Sequence, residues 1–477
     1  MLLSIRARVG LALLATAALV GCDDDDPTGP PVVNPGEATI TTDITANLTF
    51  SAETTYTLGG FVHVANGATL TIEPGTTILG TQGSALFIMR GAQIIAEGTA
   101  AAPIVLTSDQ DEGSRKPGDW GGLILVGNGI INRSGTVELE GTGTSATNPA
   151  IDYAGGTSNT DNSGSLRYVR VEFAGFGPAQ NQELNSFTFA AVGSGTQIDF
   201  VQSLAGLDDS FEWFGGAVDA KHLVSYESGD DHFDPSEGYV GRNQYLIAFQ
   251  SDILEPRAGA GSASGDPQGF EVDNCGSASG SGCDGGYDSA PLTIPMFANF
   301  TLVGSGPIAE VTSTSGGVGM VLRRGAAGHY VNGIVARWPR AAFSLRDAET
   351  ETRYDDGDLI LRNILVVETG ATAGTNAPLF EDGSGRFAID SVAENLVKAD
   401  DATLTTDELA GIPASPTLAG LDFSLTTDAD ARTGGTGAFT GALATKGGTF
   451  ITGTDYRGAW DPTGAKWWTG WTNYAKN

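Results

Sequence analysis

From about Thr39 onward the chain alternates short β-branched runs with glycine, and no long stretch carries helical periodicity. Between Thr69 and Gly80 apolar and polar residues alternate with period two on either side of a Pro74-Gly75 pair, which predicts strand, tight corner, strand. The texture returns. The run Val62 to Leu70 matches Phe87 to Ile94, with Gly67 and Gly91 set 24 residues apart. A third copy, Leu123 to Ile131, follows a polar stretch from Asp109 to Asp119, and Asn299 to Gly306, Tyr330 to Val335 and Leu361 to Val367 continue the series.

A repeat near 24 residues made of two or three short strands fits one coil of a parallel β-helix. Coils stack at about 4.8 Å, so inward positions form ladders of Val, Ile and Leu, while corners need Gly and Asn for positive φ. A sandwich would need matched hairpins, and two-residue Asn-Gly turns between strands are scarce here. At this point the chain resembles the right-handed parallel β-helices of the pectin-lyase-like superfamily over roughly residues 45–450. The run Gly118-Asp119-Trp120-Gly121-Gly122-Leu123 is similar to the tight Gly-Trp-Gly corner of bacterial surface β-helix proteins. The resemblance implies an all-β solenoid with long loop insertions and fixes no reaction. We assign residues 39–450 to it, with the largest insertion at 252–291 and a dozen coils, a rod on the order of 60 Å.

Composition narrows the partners. The chain has 57 Asp and Glu against 25 Lys and Arg, a formal charge of −32, with no basic cluster, so nucleic acid is excluded as a partner. Cations, glycans and proteins remain.

The N-terminus predicts an address. Arg6 and Arg8 precede an apolar run from Val9 to Val20, the layout of a secretory signal and too short for a comfortable span. Leu19-Val20-Gly21-Cys22 resembles the bacterial lipobox, which implies a signal peptide over 1–21 and lipidation of Cys22, anchoring the chain to a membrane. Residues 22–38, with Asp23 to Asp26 and several prolines, read as an extended tether. The expected location is the bacterial outer membrane, facing outward. The remaining cysteines, Cys275 and Cys283, bracket a Gly/Ser loop and are expected to form a disulfide.

The candidate chemistry is acidic. Leu207-Asp208-Asp209-Ser210-Phe211-Glu212 matches Gly229-Asp230-Asp231-His232-Phe233-Asp234 at an offset of 22, and a further step of 22 reaches Asp252. In a β-helix this stacks Asp208 over Asp230 on one side. Stacked carboxylates repel, so something must compensate them. Asp208, Asp209, Asp230, Asp231 and Asp234 are therefore candidate metal ligands, with calcium the fitting ion. Two other readings stand beside this one. The acids can cap backbone amides at a corner, or they can be catalytic, with Lys221 or Arg242 as the base of a lyase and Asp208 and Asp230 as the acids of a hydrolase.

Phe211 and Trp213 lie on one strand face beside these acids and are candidate sugar-stacking residues, with core packing as the alternative. Four of the seven tryptophans fall in the last eighteen residues, and residues 451–477 are expected to form an aromatic cap over an open end of the coil. Thr405 to Gly411 reads as a capped helical turn. The motifs of P-loops, nucleophile elbows and zincins are absent from the sequence. The expectation is a cell-surface lipoprotein serving as a non-catalytic glycan-binding or structural module. The alternatives are a carbohydrate-active enzyme and a component of an envelope assembly.

Overall fold

The computed structural model describes residues 36–179, 182–265, 267–276, 282–306, 317–369, 393–398 and 434–475. All belong to one unit, Val33–Asn477. The leader, Cys22, the tether as far as residue 35 and the turn at 405–411 lie outside the described residues.

Among the described residues every pairing between strands is parallel, isolated bridges aside, and the strands form two sheets. One has nine strands, from Phe61–Val64 through Phe211–Phe214 and Phe233–Ser236 to Ala341–Leu345. The other has seventeen and folds over a corner, so each coil presents three faces. Strands of four residues with every second side chain inward, such as Thr69–Ile72, follow the alternation seen in the sequence. The inward rows build one continuous core from Ala38 to Leu396.

The folded sheet turns its corner on a ladder of left-handed residues. Gly164–Glu172, Gln197–Gly206, Asp219–Ser228, Arg242–Phe249 and Met296–Val303 each run through one, namely Tyr168, Phe200, His222, Tyr245 and Asn299, and Asn332 and Asn363 continue the line. Asn tolerates this conformation, whereas aromatic residues occupy it at a cost of order 1–2 kcal/mol each. Ring stacking offsets that cost, with centroid separations of 4.5 Å for Tyr168 on Phe200, 4.2 Å for Phe200 on His222 and 5.0 Å for His222 on Tyr245.

The Gly-Trp-Gly corner is real and explains Gly80. Trp120 is fully buried and donates from Nε1 to the Glu172 carbonyl at 2.8 Å, and a Cβ on Gly80 would lie 2.5 Å from its ring.

Three expectations change. Residues 252–291 are not one excursion, because Phe270–Asp273 returns to the nine-stranded sheet in their midst. Long insertions use up chain, so among the described residues the nine-stranded sheet accounts for fewer coils than a dozen. The C-terminal aromatics cap no end. Trp460, Trp468, Trp471 and Tyr474 lie along the outer flank of the folded sheet, over Leu204, Tyr226, Ile247, Phe249 and Val303 from successive coils. Apolar residues at these outward positions need a cover, and the strap supplies it. Asn473 locks its far end to Gln202, donating from the backbone N–H at 2.8 Å. Cys275 and Cys283 are bonded, with their Cα atoms 5.9 Å apart. No helix among the described residues is long and apolar enough to cross a membrane.

Candidate functional site

The nine-stranded sheet carries an acidic row on its outward side. On Phe211–Phe214 the period of two sends Phe211 and Trp213 inward, where both are fully buried, and leaves Glu212 outside. Trp213 stacks on Phe189 and Tyr239 inside the coil. The expected sugar contacts of Phe211 and Trp213 are therefore core contacts. Register places Asp234 beside Glu212, and Phe233 beside Phe270, which puts Glu271 next along the row.

The preceding turns add the aspartates. Gly206 pairs with Ser228, so the turn bearing Asp208 and Asp209 lies against the turn bearing Asp230 and Asp231 one coil on. Gly229 permits this approach, since a Cβ there would sit 1.8 Å from the Leu207 carbonyl oxygen. One part of the corner is a hydrogen-bonded ladder. Asn185 Oδ1 accepts from the Asp209 N–H at 3.1 Å, Asp209 Oδ1 from the Asp231 N–H at 2.8 Å, and Asp231 Oδ1 from the Gln268 N–H at 2.9 Å. Capping of backbone amides thus uses one oxygen of Asp209 and one of Asp231.

Both residues line a cavity of about 220 Å³ together with Glu140, Glu183, Asp208, Glu212, Asp230, Asp234 and Glu271. Asp209 and Glu212 are 7 % exposed and Asp231 is 3 %. Three overlapping triads have ligand oxygens within 4.8 Å of one another: Asp208, Asp209 and Asp230; Asp209, Glu212 and Asp234; Asp231, Asp234 and Glu271. Calcium binds oxygen at 2.3–2.6 Å, so oxygens at this separation can share an ion.

Positive charge meets the lining at Glu271. Arg323 pairs with Glu271, and also with Asp273 at 2.8 Å. Asn185 donates to Glu212 and Gln268 to Glu271, the latter at 2.8 Å. Among the described residues Asp234 Oδ1 is buried with no hydrogen-bond partner. Burial pushes Asp208, Asp209, Glu212, Asp231 and Asp234 well above the usual carboxylate range, and like charge adds to it, first from Asp230 on Asp208 and from Asp234 on Glu212. Glu140 is pushed up to about 7 by burial and then by Glu183. Glu271 also reaches about 7 through burial, with Arg323 acting the other way. An all-oxygen donor set without His or Cys suits a hard cation.

The structure gathers all five aspartates read from the sequence and leaves the basic candidates elsewhere. Lys221 and Arg242 sit on the folded sheet, outside the cavity lining. Lys221 Nζ lies 4.8 Å from the ring centre of Phe450, and Arg242 is paired with Asp219. Asp252 is exposed and also apart, because the coil after Asp231 is lengthened and Gln268 takes the next position on the corner.

Four lining acids escaped sequence reasoning. Glu212 and Glu271 carry a signal, since Phe211-Glu212, Phe233-Asp234 and Phe270-Glu271 repeat one dipeptide pattern at the head of a strand. Glu140 and Glu183 come from insertions and carry none.

No curated protein and no solved structure matches the chain. A family model described as a pectate-lyase-like β-helix domain matches residues 42–408. With parallel strands coiled in that same span, the chain belongs to the pectate-lyase-like β-helix domain family.

Proposed function

We propose that the chain is a non-catalytic binding module whose working centre is a calcium site in the acidic cavity. Lipid on Cys22 would hold it on the outward face of the outer membrane, with glycans or envelope proteins as its partners. The observation that carries this reading is the meeting of nine carboxylates in one cavity in which Asp234 Oδ1 is buried without a partner among the described residues. Repulsion between two charges about 5 Å apart is of order 3 kcal/mol at an effective dielectric of 20, so a divalent ion is a strong compensator there. Calcium accepts six to eight oxygens in irregular geometry, which suits ligands spread over three coils. Thermal melts test it. Calcium should raise the melting temperature over that in EDTA, and Asp230→Asn should shrink the difference. An equal melt with and without calcium overturns the reading.

A carbohydrate-active enzyme is the second reading, favoured by Glu140 and Glu271, whose values of about 7 suit a general acid. A lyase base from Lys221 or Arg242 has no support in the placement of those residues. Incubation with polyuronates and neutral glycans decides between the readings. Unsaturated products or new reducing ends that vanish in Glu140→Gln favour the enzyme, and their absence favours the binding module.

A further inference from the structure

In a parallel coil each turn touches only its two neighbours, so a bare coil can open from either end or in pieces. Residues 434–475, which end in the aromatic strap, add contacts of another kind. They meet every coil from Gly164–Glu172, where Arg170 donates to the Trp471 carbonyl at 2.7 Å, to the one bearing Asn363, which donates to Thr436. Between these ends Trp467 lies edge-on to His222, with ring centres 4.9 Å apart.

The bonds are latches made by side-chain amides. Gln202 holds both backbone groups of Asn473, accepting from its N–H at 2.8 Å and donating to its carbonyl at 2.5 Å. Gln244 holds Thr452 in the same way, at 3.0 and 2.6 Å. Asn299 donates to Thr454 Oγ1 at 2.7 Å, and Asn332 Oδ1 accepts from the Thr436 N–H at 2.9 Å. Gln202, Gln244, Asn299 and Asn332 are all fully buried. Covering apolar residues needs only bulk, whereas buried amides that must find their partners fix the segment at one position along the coil. The strap is also braced within itself. Trp467 Nε1 donates to the Ala459 carbonyl and Trp471 Nε1 to the Trp467 carbonyl, both at 2.9 Å. Lifting one part therefore disturbs the rest.

We propose that residues 434–475 are a clamp that joins separate coils into one cooperative unit. A coil that opens alone must give up its bond to the clamp, and a clamp that lifts releases distant coils together, so their openings are coupled. Because the clamp is made after every coil it holds, the coils lock together only late in synthesis.

Native-state hydrogen exchange along a denaturant series tests the clamp, in EDTA so that the result is independent of the cation reading. The probes are amides of Gln197–Gly206 and Met296–Val303. In the full chain both strands should converge on one opening reaction, with protection agreeing within about threefold. A chain ending at Asp455 keeps the bonds of Thr436, Thr452 and Thr454 and loses those of Trp471 and Asn473. There Gln197–Gly206 should open separately, with protection about tenfold or more below that of Met296–Val303. Separate openings in the full chain, or an equal fall at both strands in the shortened one, overturn the proposal. Should the shortened chain fail to fold, Gln202→Ala with Asn473→Ala removes both partners of one latch and is read in the same way. A split between the two strands supports the clamp, and a uniform response overturns it.

Discussion

Glu212 and Asp234 are register partners on adjacent coils, so two outward carboxylates occupy one rung of the nine-stranded sheet. Like charges opposite one another destabilise a sheet, and Glu212 is buried as well. Asp234→Asn should therefore raise the melting temperature in EDTA, by an amount equivalent to about 1 kcal/mol, while reducing the gain that calcium brings. Melts of parent and variant in EDTA and in calcium check both signs together. A variant less stable than the parent in EDTA would mean that the rung is already compensated.

Acidity should act on the same row. Glu140 has a folded value of about 7 against an ordinary 4.5, so its proton is held more tightly in the folded state. Its contribution is fully present below about 4.5 and is lost as pH rises through about 7. In EDTA the advantage of Glu140→Gln over the parent should grow across that window and level off above it. Chemical denaturation at pH 4.5, 6 and 8 follows the trend, and an advantage that shrinks with pH would contradict it.

Trp213 is a core residue with its ring stacked between neighbours inside the coil. Trp213→Ala should cost about 3–5 kcal/mol through the cavity it opens. Calcium uptake per mole of folded protein should stay the same. Weakened glycan binding at unchanged stability would instead return this ring to the ligand-binding surface.

The C-terminal strap covers outward apolar residues, among them Tyr226 and Phe249. Ending the chain at Asp455 should uncover them, raise binding of a hydrophobic dye and lower the melting temperature by several degrees. Were residues 456–475 a docking element for another envelope protein, truncation would remove a partner and leave the body as stable as before.

Much of this fold is visible in the amino-acid pattern, because each coil repeats a short run of inward Val, Ile, Leu and Phe at nearly constant spacing. The five aspartates were legible for the same reason, since an offset of 22 holds from Asp208 to Asp230. That regularity fails where a coil is lengthened, so the step of 22 lands on Asp252 while Gln268 takes the next position on the corner. The placement of Lys221 and Arg242 depends on the left-handed corner at His222 and Tyr245, which single-sequence alternation does not mark. Glu140 and Glu183 reach the cavity from insertions whose path is set by tertiary packing, as in the contact of Gly141 with Leu184. The flanking strap was legible as an aromatic cluster, while its course along the coil depends on outward apolar residues scattered over many strands.

Calorimetric titration of calcium into chelator-stripped protein asks whether the acidic cavity holds a cation. Asp209 and Asp234 each belong to two of the three triads, so Asp209→Asn with Asp234→Asn weakens all of them. The parent should show saturable binding, and the double variant, folded by circular dichroism, should show none. A parent that takes up no calcium, or a double variant that binds as the parent does, would contradict the account.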